Sequence, residues 1–269
     1  MLWLVFLRGY LRFAWQLVNG ARVAHERMIA AWRARDLASL GKAERYQRVL
    51  DLANGQLRPQ YALLRAAGHC VVGIDLANRP SAGWRARAYR LARTVYNTRL
   101  PAPQRLASAG GLVCGDVSAL PFADASFDLV TSVAAFEHFL DVPMVVAELA
   151  RVMRAEGIAW ICIHLFTSPS GGHTLGFVEV PLRRVPWGVE PWDHLRKRWL
   201  ALTVPLNEWR IVQYRAEFAR HFEIVKEYCA LREGEHLLTV ELEKELSAYS
   251  RDELTCGTYV FVLRKPTLQ

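Results

Sequence analysis

Residues 49–75 read VLDLANGQLRPQYALLRAAGHCVVGID, and this stretch decides the expected fold. The short apolar run Val49–Leu52 is followed by Ala53-Asn54-Gly55, which predicts a buried parallel strand and a tight turn that opens a helix. A second apolar run, Val71–Ile74, ends at Asp75. A carboxylate about 20 residues beyond such a turn grips a ribose diol in dinucleotide-type folds, although many βαβ units carry an acid there for structural reasons. The stretch alone therefore indicates a generic nucleotide-type binder.

Further apolar runs continue the alternation of strands with helices. Strands are predicted at Leu112–Asp116, Phe127–Ser132 and Ala159–Leu165. Two C-terminal runs, His221–Cys229 and Thr258–Leu263, predict an antiparallel pair that closes the sheet. The whole pattern favours an α/β fold with a doubly wound, mostly parallel seven-stranded sheet and an antiparallel last strand. Ligands of such sheets bind outside the carboxyl ends of the strands.

Residues 1–45 are predicted to form amphipathic and basic helices ahead of the main domain, which we place at 46–269. The first 19 residues are too short and too charged for a membrane span, and they lack the layout of a signal peptide. Their polar positions recur at helical spacing: Arg8, Arg12, Gln16 and Asn19. Two alternatives stay open for the apolar face of this helix. It could lie in a membrane interface, or it could pack on the domain or on a second subunit of an oligomer.

Positive charge is concentrated in the N-terminal part of the chain. Residues 1–105 hold 18 arginines and lysines against 5 acidic residues, whereas the remainder holds 16 against 21. Such asymmetry suggests an anionic surface or partner, for which both lipid headgroups and nucleic acid are candidates, with nucleic acid disfavoured. Solvated helix faces are the plain alternative. Within this part, an apolar stripe predicts an amphipathic helix: Trp84, Ala88, Leu91 and Val95.

Cysteine usage predicts buried thiols and a cytoplasmic protein, with peripheral membrane contact left open. The five cysteines are scattered and form no metal-ligand spacing, so no metal site is expected: Cys70, Cys114, Cys162, Cys229 and Cys256. Residues 167–205 show no clear helix or strand, and we expect an insertion over the ligand-binding edge. Its tryptophans either line an acceptor pocket or form the insertion's own small core: Trp187, Trp192 and Trp199.

The most specific pattern is LPFADASFDLVTSVAAFEHFLDVPMVVAELARVMRAEG, residues 120–157. It resembles the class I S-adenosylmethionine-dependent methyltransferases, specifically the type 11 group, and the resemblance covers about 48–165. It implies a Rossmann-like fold, S-adenosylmethionine as cofactor, and methyl transfer to a small or lipid-linked acceptor, with O-methylation expected. Two alternatives stay open. One is a non-catalytic binding or scaffold protein on the same fold. The other, a nicotinamide-dependent oxidoreductase, is disfavoured because the turn lacks GxGxxG spacing.

The resemblance also implies the positions of the cofactor contacts. The turn after the first strand approaches the methionine part, the acid after the second strand binds the ribose hydroxyls, and the acid after the third meets the adenine amine. In this sequence the implied cofactor residues are Asp51, Ala53, Gly55, Asp75, Leu76, Asp116, Val117 and Ser132.

The glycine turn departs from the family pattern. The family has D-x-G-x-G-x-G, whereas residues 51–57 read DLANGQL, so Ala53 and Leu57 replace glycines. Glycine is needed where the backbone takes a positive φ or approaches a ligand closely. Ala53 would cost little if its φ were negative, while Leu57 adds bulk at the start of the helix. This departure motivates the scaffold alternative.

Two histidines are candidates for the catalytic base. Methyl transfer needs alignment and exclusion of water, and in some cases removal of a proton from the acceptor. His138 matches the family's Glu-His pair and either approaches the acceptor or orders the loop. His173, at the end of Ser-Gly-Gly-His, suits a general base if its loop folds back, and is otherwise a surface residue. His164, within an apolar run, is expected to be a satisfied core residue.

Overall fold

The structure is a computed structural model that describes residues 2–41, 48–79, 82–100, 111–173, 185, 189–198, 202 and 204–266. Its helices are Leu2–Asn19 (α1), Ala21–Ser39 (α2), Pro59–Ala66 (α3), Trp84–Asn97 (α4), Val142–Val152 (α5), Ile211–Phe218 (α6), Val240–Glu245 (α7) and Arg251–Thr255 (α8). Its strands are Val49–Leu52 (β1), Val71–Ile74 (β2), Gly111–Val113 (β3), Phe127–Val133 (β4), Met153–His164 (β5), Glu223–Arg232 (β6) and Cys256–Arg264 (β7).

These strands form one sheet in the order β3-β2-β1-β4-β5-β7-β6. Strands β1 to β5 are parallel, and β7 runs antiparallel to both β5 and β6. The predicted fold class is therefore confirmed, including the antiparallel last strand. Chain order reverses between β1 and β4, so the connections that leave these two strands diverge and open a crevice at their carboxyl ends.

Helices cover both faces of the sheet. On one face, Leu149 of α5 and Phe218 of α6 belong to the larger apolar core together with Phe261 of β7. On the other face, Ile29 of α2 packs in a cluster with Trp160 of β5. Burial on both faces explains why the parallel strands read as continuous apolar runs. It also makes α2 part of the core that supports the sheet.

A buried carboxylate fastens α2 to the sheet. Asp36 accepts hydrogen bonds from the Trp160 indole at 3.0 Å, the Tyr228 hydroxyl at 2.6 Å and the Lys226 ammonium at 2.8 Å. Burial acts to raise the pKa of Asp36, but these donors outweigh it and lower that pKa. The network joins α2, β5 and β6, and so fixes the N-terminal helices against the sheet.

Helices α1 and α4 pack on each other through one face only. Phe13 and Leu17 of α1 cluster with Tyr96 of α4. The opposite faces carry exposed large apolar side chains: Leu7, Leu11, Trp15 and Val18 on α1, and Trp84, Tyr89 and Leu91 on α4. The predicted α4 helix is present, but its predicted apolar stripe does not pack inwards, since Trp84 is 74% exposed and Leu91 is 66% exposed.

The prediction of buried, unpaired cysteines is wrong for most of them. Cys229 of β6 and Cys256 of β7 form a disulfide with Cα atoms 5.9 Å apart. Cys114 is exposed and Cys70 is half-buried, which leaves Cys162 as the buried free thiol. The pairing arises because β6 and β7 are adjacent, although the two cysteines are 27 residues apart in sequence. Cysteine usage therefore gives no support for a reducing compartment.

The predicted insertion at 167–205 lies partly outside the described residues, and so do Trp187 and Trp199. Trp192 is fully buried in a cluster with Leu238, Leu246 and Leu254. Its indole also donates to the Leu254 carbonyl at 3.1 Å. For this tryptophan the structure favours a small core, shared with the segment that carries α7 and α8, over an acceptor pocket.

Candidate active site

The turn between β1 and α3 shows how the departures from the glycine pattern are accommodated. Ala53 has a φ of 56° and Gly55 a φ of 66°, so both lie in the left-handed region that favours glycine. The condition under which alanine would cost little, a negative φ, is therefore not met. Leu57 packs against the apolar cluster of α1 and α4 and does not line the cavity described below. Its bulk consequently faces away from the site.

Asp75 ties this turn to the end of β2. Its Oδ2 accepts a hydrogen bond from the Gly55 amide at 2.7 Å, and its Oδ1 accepts one from the Ala77 amide at 2.6 Å. A carboxylate oxygen can accept more than one hydrogen bond. The half-buried carboxylate can thus hold the turn and still receive hydroxyl donors from the cavity.

Asp116 lies in the segment that follows β3. Its Oδ1 accepts hydrogen bonds from the Ser118 amide at 2.9 Å and the Ser118 hydroxyl at 2.8 Å. These bonds, the amide's first, lower the pKa of Asp116. The carboxylate is therefore ionised at neutral pH and available as an acceptor.

A cavity of about 570 Å³ opens at the carboxyl ends of these strands, within the range of about 300–1,000 Å³ that small-molecule sites occupy. Six of the predicted cofactor residues line it: Ala53, Gly55, Asp75, Leu76, Asp116 and Val117. The opposite wall is formed by residues that follow β4, including Ala134, Ala135, His138, Phe139, Leu140, Asp141 and Val145. The fold thus brings the Gly55 turn after β1, Asp75 after β2 and Asp116 after β3 to one concave surface.

Asp51 and Ser132 do not belong to that surface. Both are buried, and neither lines the cavity. Asp51 accepts a hydrogen bond from the Thr131 hydroxyl at 3.2 Å. Burial raises the pKa of Asp51 to about 7, although Arg33 and Thr131 act in the opposite direction. The structure places these two predicted residues behind the cavity wall.

The loop after β4 presents His138 to the cavity. Its Nδ1 lies 3.0 Å from the Pro205 carbonyl oxygen, and a carbonyl can only accept, so Nδ1 carries a proton and the neutral form of the ring has its lone pair on Nε2. Asn207 holds the same loop by donating to the carbonyls of Phe136 at 2.7 Å and Phe139 at 3.0 Å. The ring that meets the cavity is therefore fixed in orientation and tautomer.

The loop after β5 folds back towards this wall, and this was the condition under which His173 was predicted to suit a general base. The centroid of its ring lies 4.8 Å from that of His138 and 4.6 Å from that of His164. Burial first, and then His164, His138 and His194, lower the pKa of His173 to about 2, so the ring is neutral. His173 lies behind His138 and does not itself line the cavity.

Two residues of this region were not anticipated as functional. Glu137 is 1% exposed, and its Oε1 lies 3.8 Å from Nε2 of His173. Burial raises the pKa of Glu137 to about 8, while the backbone amides of Glu137 and His164 act in the opposite direction. His164 has a hydrogen-bond partner, the Ser170 hydroxyl, as predicted for a core histidine. Its ring also contacts that of His173, so it belongs to a polar cluster. The Glu-His pair at 137–138 was the one sequence signal that pointed here.

Residues 50–161 match a family model described as a methyltransferase domain. An uncharacterized methyltransferase of Mycobacterium avium (strain 104) is 33% identical over 122 residues, which are 42% of this chain and 47% of that protein. A 24-methylenesterol C-methyltransferase 2 of Oryza sativa subsp. japonica is 28% identical over 141 residues, covering 51% of this chain and 35% of that protein. The chain spans about half the length of the first of these relatives.

Solved structures share the fold at low sequence identity. A proposed sarcosine dimethylglycine methyltransferase from Galdieria sulphuraria superposes with a TM-score of 0.56 at 16% identity, covering 92% of this chain and 88% of that one. A complex of the Haloferax volcanii Trm112 methyltransferase activator with a proposed methyltransferase gives 0.51 at 18% identity, covering 91% and 98%. These likenesses establish the Rossmann-like methyltransferase fold.

Proposed function

We propose, because residues 50–161 match the methyltransferase domain model, that the chain transfers a methyl group from S-adenosylmethionine to a small or lipid-linked acceptor. The observation that carries the proposal is the cavity at the reversal of strand order, where Asp75, the Gly55 turn and Asp116 meet. The matched relatives carry methyltransferase names. They favour an enzyme over the non-catalytic scaffold on the same fold.

The residues present fit the cofactor. Asp75 would accept the ribose hydroxyls, Asp116 would accept from the adenine amine, and the half-buried backbone of Gly55, which lines the cavity, would lie against the methionine part. Buried Val117 and exposed Leu76 supply apolar surface for the purine. When bound there, the cofactor supplies an electrophilic methyl group on a sulfonium. The Ala53 methyl group, absent from glycine, lies on the same wall, and the cavity still has a volume of about 570 Å³.

We assign the acceptor end of the cavity to the wall that follows β4. His138 is the cavity-lining base, because its Nδ1 proton is held by Pro205 and its Nε2 lone pair is available. A hydroxyl acceptor must lose its proton on methylation, so a neutral imidazole here suits O-methylation. His173 contacts the ring of His138 from behind and supports it.

A lipid-linked acceptor is supported by the outer face of α1. Leu7, Leu11, Trp15 and Val18 are exposed at intervals of three and four residues, which places them on one face of the helix. No helix of the described residues is long and apolar enough to cross a membrane. Together with the positive charge of residues 1–105, this face suits shallow binding to an anionic lipid surface.

The activity is tested by incubating the full chain with methyl-labelled S-adenosylmethionine and either a small-molecule or a lipid extract of cells. We expect label in a product of one extract, and less of it in Asp75→Asn at subsaturating cofactor, because the amide keeps one acceptor oxygen but loses the negative charge and the second acceptor. His138→Gln should slow transfer by about 100-fold to 10,000-fold, the usual contribution of a general base, while leaving cofactor binding intact. Absence of labelled product in both extracts would count against the proposal.

The membrane contact is tested by sedimentation with phosphatidylserine-containing vesicles. Trp15→Glu should release the protein, since Trp15 is 65% exposed at the centre of the apolar face. Val212→Glu is the matched control, because Val212 is 56% exposed on α6, away from that face. Equal sedimentation of the two variants and the wild type would show that α1 does not bind lipid.

A further inference from the structure

Three separate segments bring a carboxylate and two imidazoles together beside the cavity. Glu137 comes from the loop after β4, His164 from the end of β5, and His173 from the loop that follows β5. One potential ligand atom from each lies within 4.8 Å of those of the other two. Carboxylate oxygen and imidazole nitrogen are the atoms that bind zinc and other divalent transition metals in proteins.

The Glu137 carboxylate of this cluster is buried without a cationic partner among the described residues. Glu137 is buried, and neither of its oxygens has a hydrogen-bond partner of regular geometry among the described residues. Within the same described part of the chain, no arginine or lysine forms an ion pair with it. Without a partner, burial favours the protonated form of Glu137, whereas buried carboxylates that stay ionised are generally paired or coordinate metals. A cation between Glu137 and the two histidines would stabilise the ionised carboxylate.

Hydrogen bonding prepares His164 as a ligand. The Ser170 hydroxyl donates to Glu233, so it accepts from Nε2 of His164, with which it forms a bond of 2.7 Å. This arrangement protonates Nε2 and leaves the lone pair on Nδ1. A ligating histidine usually has its second nitrogen held by such a polar partner.

The backbone of the loop is built to deliver His173. A Cβ atom at Gly171 would lie 2.3 Å from the carbonyl oxygens of Leu165 and Phe166, so the chain can fold back this tightly only with glycine there. His173 itself has a φ of 51°, a strained conformation of the kind that persists at functional sites. The tight turn at Gly171 and the strained backbone of His173 together place the His173 imidazole next to Glu137.

We propose that Glu137, His164 and His173 bind one divalent transition-metal ion, with zinc as the first candidate. Two ligands about 2.1 Å from a tetrahedral ion are about 3.4 Å apart, so the present separations, including 3.8 Å between Glu137 and His173, require a small contraction. Three protein ligands leave a coordination position open. The ring of His138, which lines the cavity, contacts the ring of His173, so the cluster lies next to the acceptor wall.

Metal binding is measured on the tag-free full chain after treatment with a chelator. Cobalt(II) serves as the spectroscopic probe and zinc is quantified by mass spectrometry after dialysis. We expect one metal ion per chain and the visible absorption of four-coordinate cobalt. Glu137→Gln and His173→Asn should each weaken binding at least about tenfold, the loss typical even of residues that only support a ligand. Asparagine is chosen at 173 because it tolerates a positive φ.

Two controls separate a metal site from a structural effect. His221→Asn, in the turn between α6 and β6, should bind metal as the wild type does. Ser170→Ala should weaken binding by about 10-fold to 100-fold through His164, with an unchanged circular dichroism spectrum. Less than a tenth of an equivalent of metal in the wild type, or equal binding by all variants, would overturn the proposal. Binding of S-adenosylhomocysteine is measured in parallel, so failure of the metal site is distinguishable from failure of the proposed transferase.

Discussion

Replacing Ala53 by glycine should stabilise the protein, although glycine usually destabilises. Ala53 has a φ of 56°, a conformation that costs an L-residue about 1–2 kcal/mol. Glycine removes that cost but loses about 0.5–1 kcal/mol through the greater freedom of the unfolded chain. The free energy of unfolding should therefore rise by about 0.5–1 kcal/mol.

The change is measured by urea denaturation at neutral pH, with the unfolding slope checked for constancy. Ala147→Gly is the matched control, since Ala147 lies inside α5, where glycine should cost about 1 kcal/mol. A rise for Ala53→Gly beside a loss for Ala147→Gly would support the strained turn. If both variants lose stability equally, the left-handed conformation at position 53 and the reasoning from it are refuted.

Three further outcomes follow from buried groups. Asp36→Ala should cost about 2–4 kcal/mol in urea denaturation, because the Trp160 indole and the Tyr228 hydroxyl lose their acceptor. Lys226 is 38% exposed and can be solvated by water instead. A loss below about 1 kcal/mol would mean that the network does not anchor α2. Burial raises the pKa of Asp51 in the folded state to about 7, so its contribution to the free energy of unfolding is complete below its unfolded pKa and is lost as pH rises through about 7. In Asp51→Asn the free energy of unfolding should depend less on pH in this range. The same pH dependence in the variant and the wild type would contradict the raised pKa. Alkylation of the denatured, unreduced protein should modify three cysteines and spare Cys229 and Cys256, which intact mass measures; five modified cysteines would show that the bond does not form.

The centre of the sheet could be predicted from sequence because β1 and β2 are almost wholly buried. Val49–Leu52, apolar except for Asp51, and Val71–Ile74 were predicted as strands, and the structure gives them those same bounds. The acids that follow β2 and β3 then had to lie at the carboxyl edge, which is where Asp75 and Asp116 line the cavity. Local pattern was sufficient here because a parallel sheet fixes direction and edge together.

Other features depend on contacts that no local pattern records. Trp84 and Leu91 occur at helical spacing, but spacing does not reveal which face of the helix packs inwards. In the structure Tyr96 packs against α1, while Trp84 and Leu91 are exposed. Asp51 is buried within β1 and does not line the cavity, which the alternation of residue types did not indicate. The pairing of Cys229 with Cys256 follows from strand order alone.

The cluster of Glu137, His164 and His173 was hidden for a related reason. Its members are spread over 36 residues of sequence with no ligand spacing. They meet only because the glycine-rich loop after β5 turns back on the strand end. Sequence singled out His138 and His173 separately, and the fold made them neighbours.

Isothermal titration of the full chain with S-adenosylhomocysteine tests the central claim most directly. We predict one binding site per chain, weakened at least about tenfold in Asp75→Asn, because one charge-assisted acceptor of the ribose is worth about 1.5–3 kcal/mol. Asp252→Asn, a surface carboxylate that is 82% exposed and paired with Arg232, should bind as the wild type does. No heat of binding at millimolar ligand, or equal affinity in Asp75→Asn, would contradict the assignment of this cavity to the cofactor.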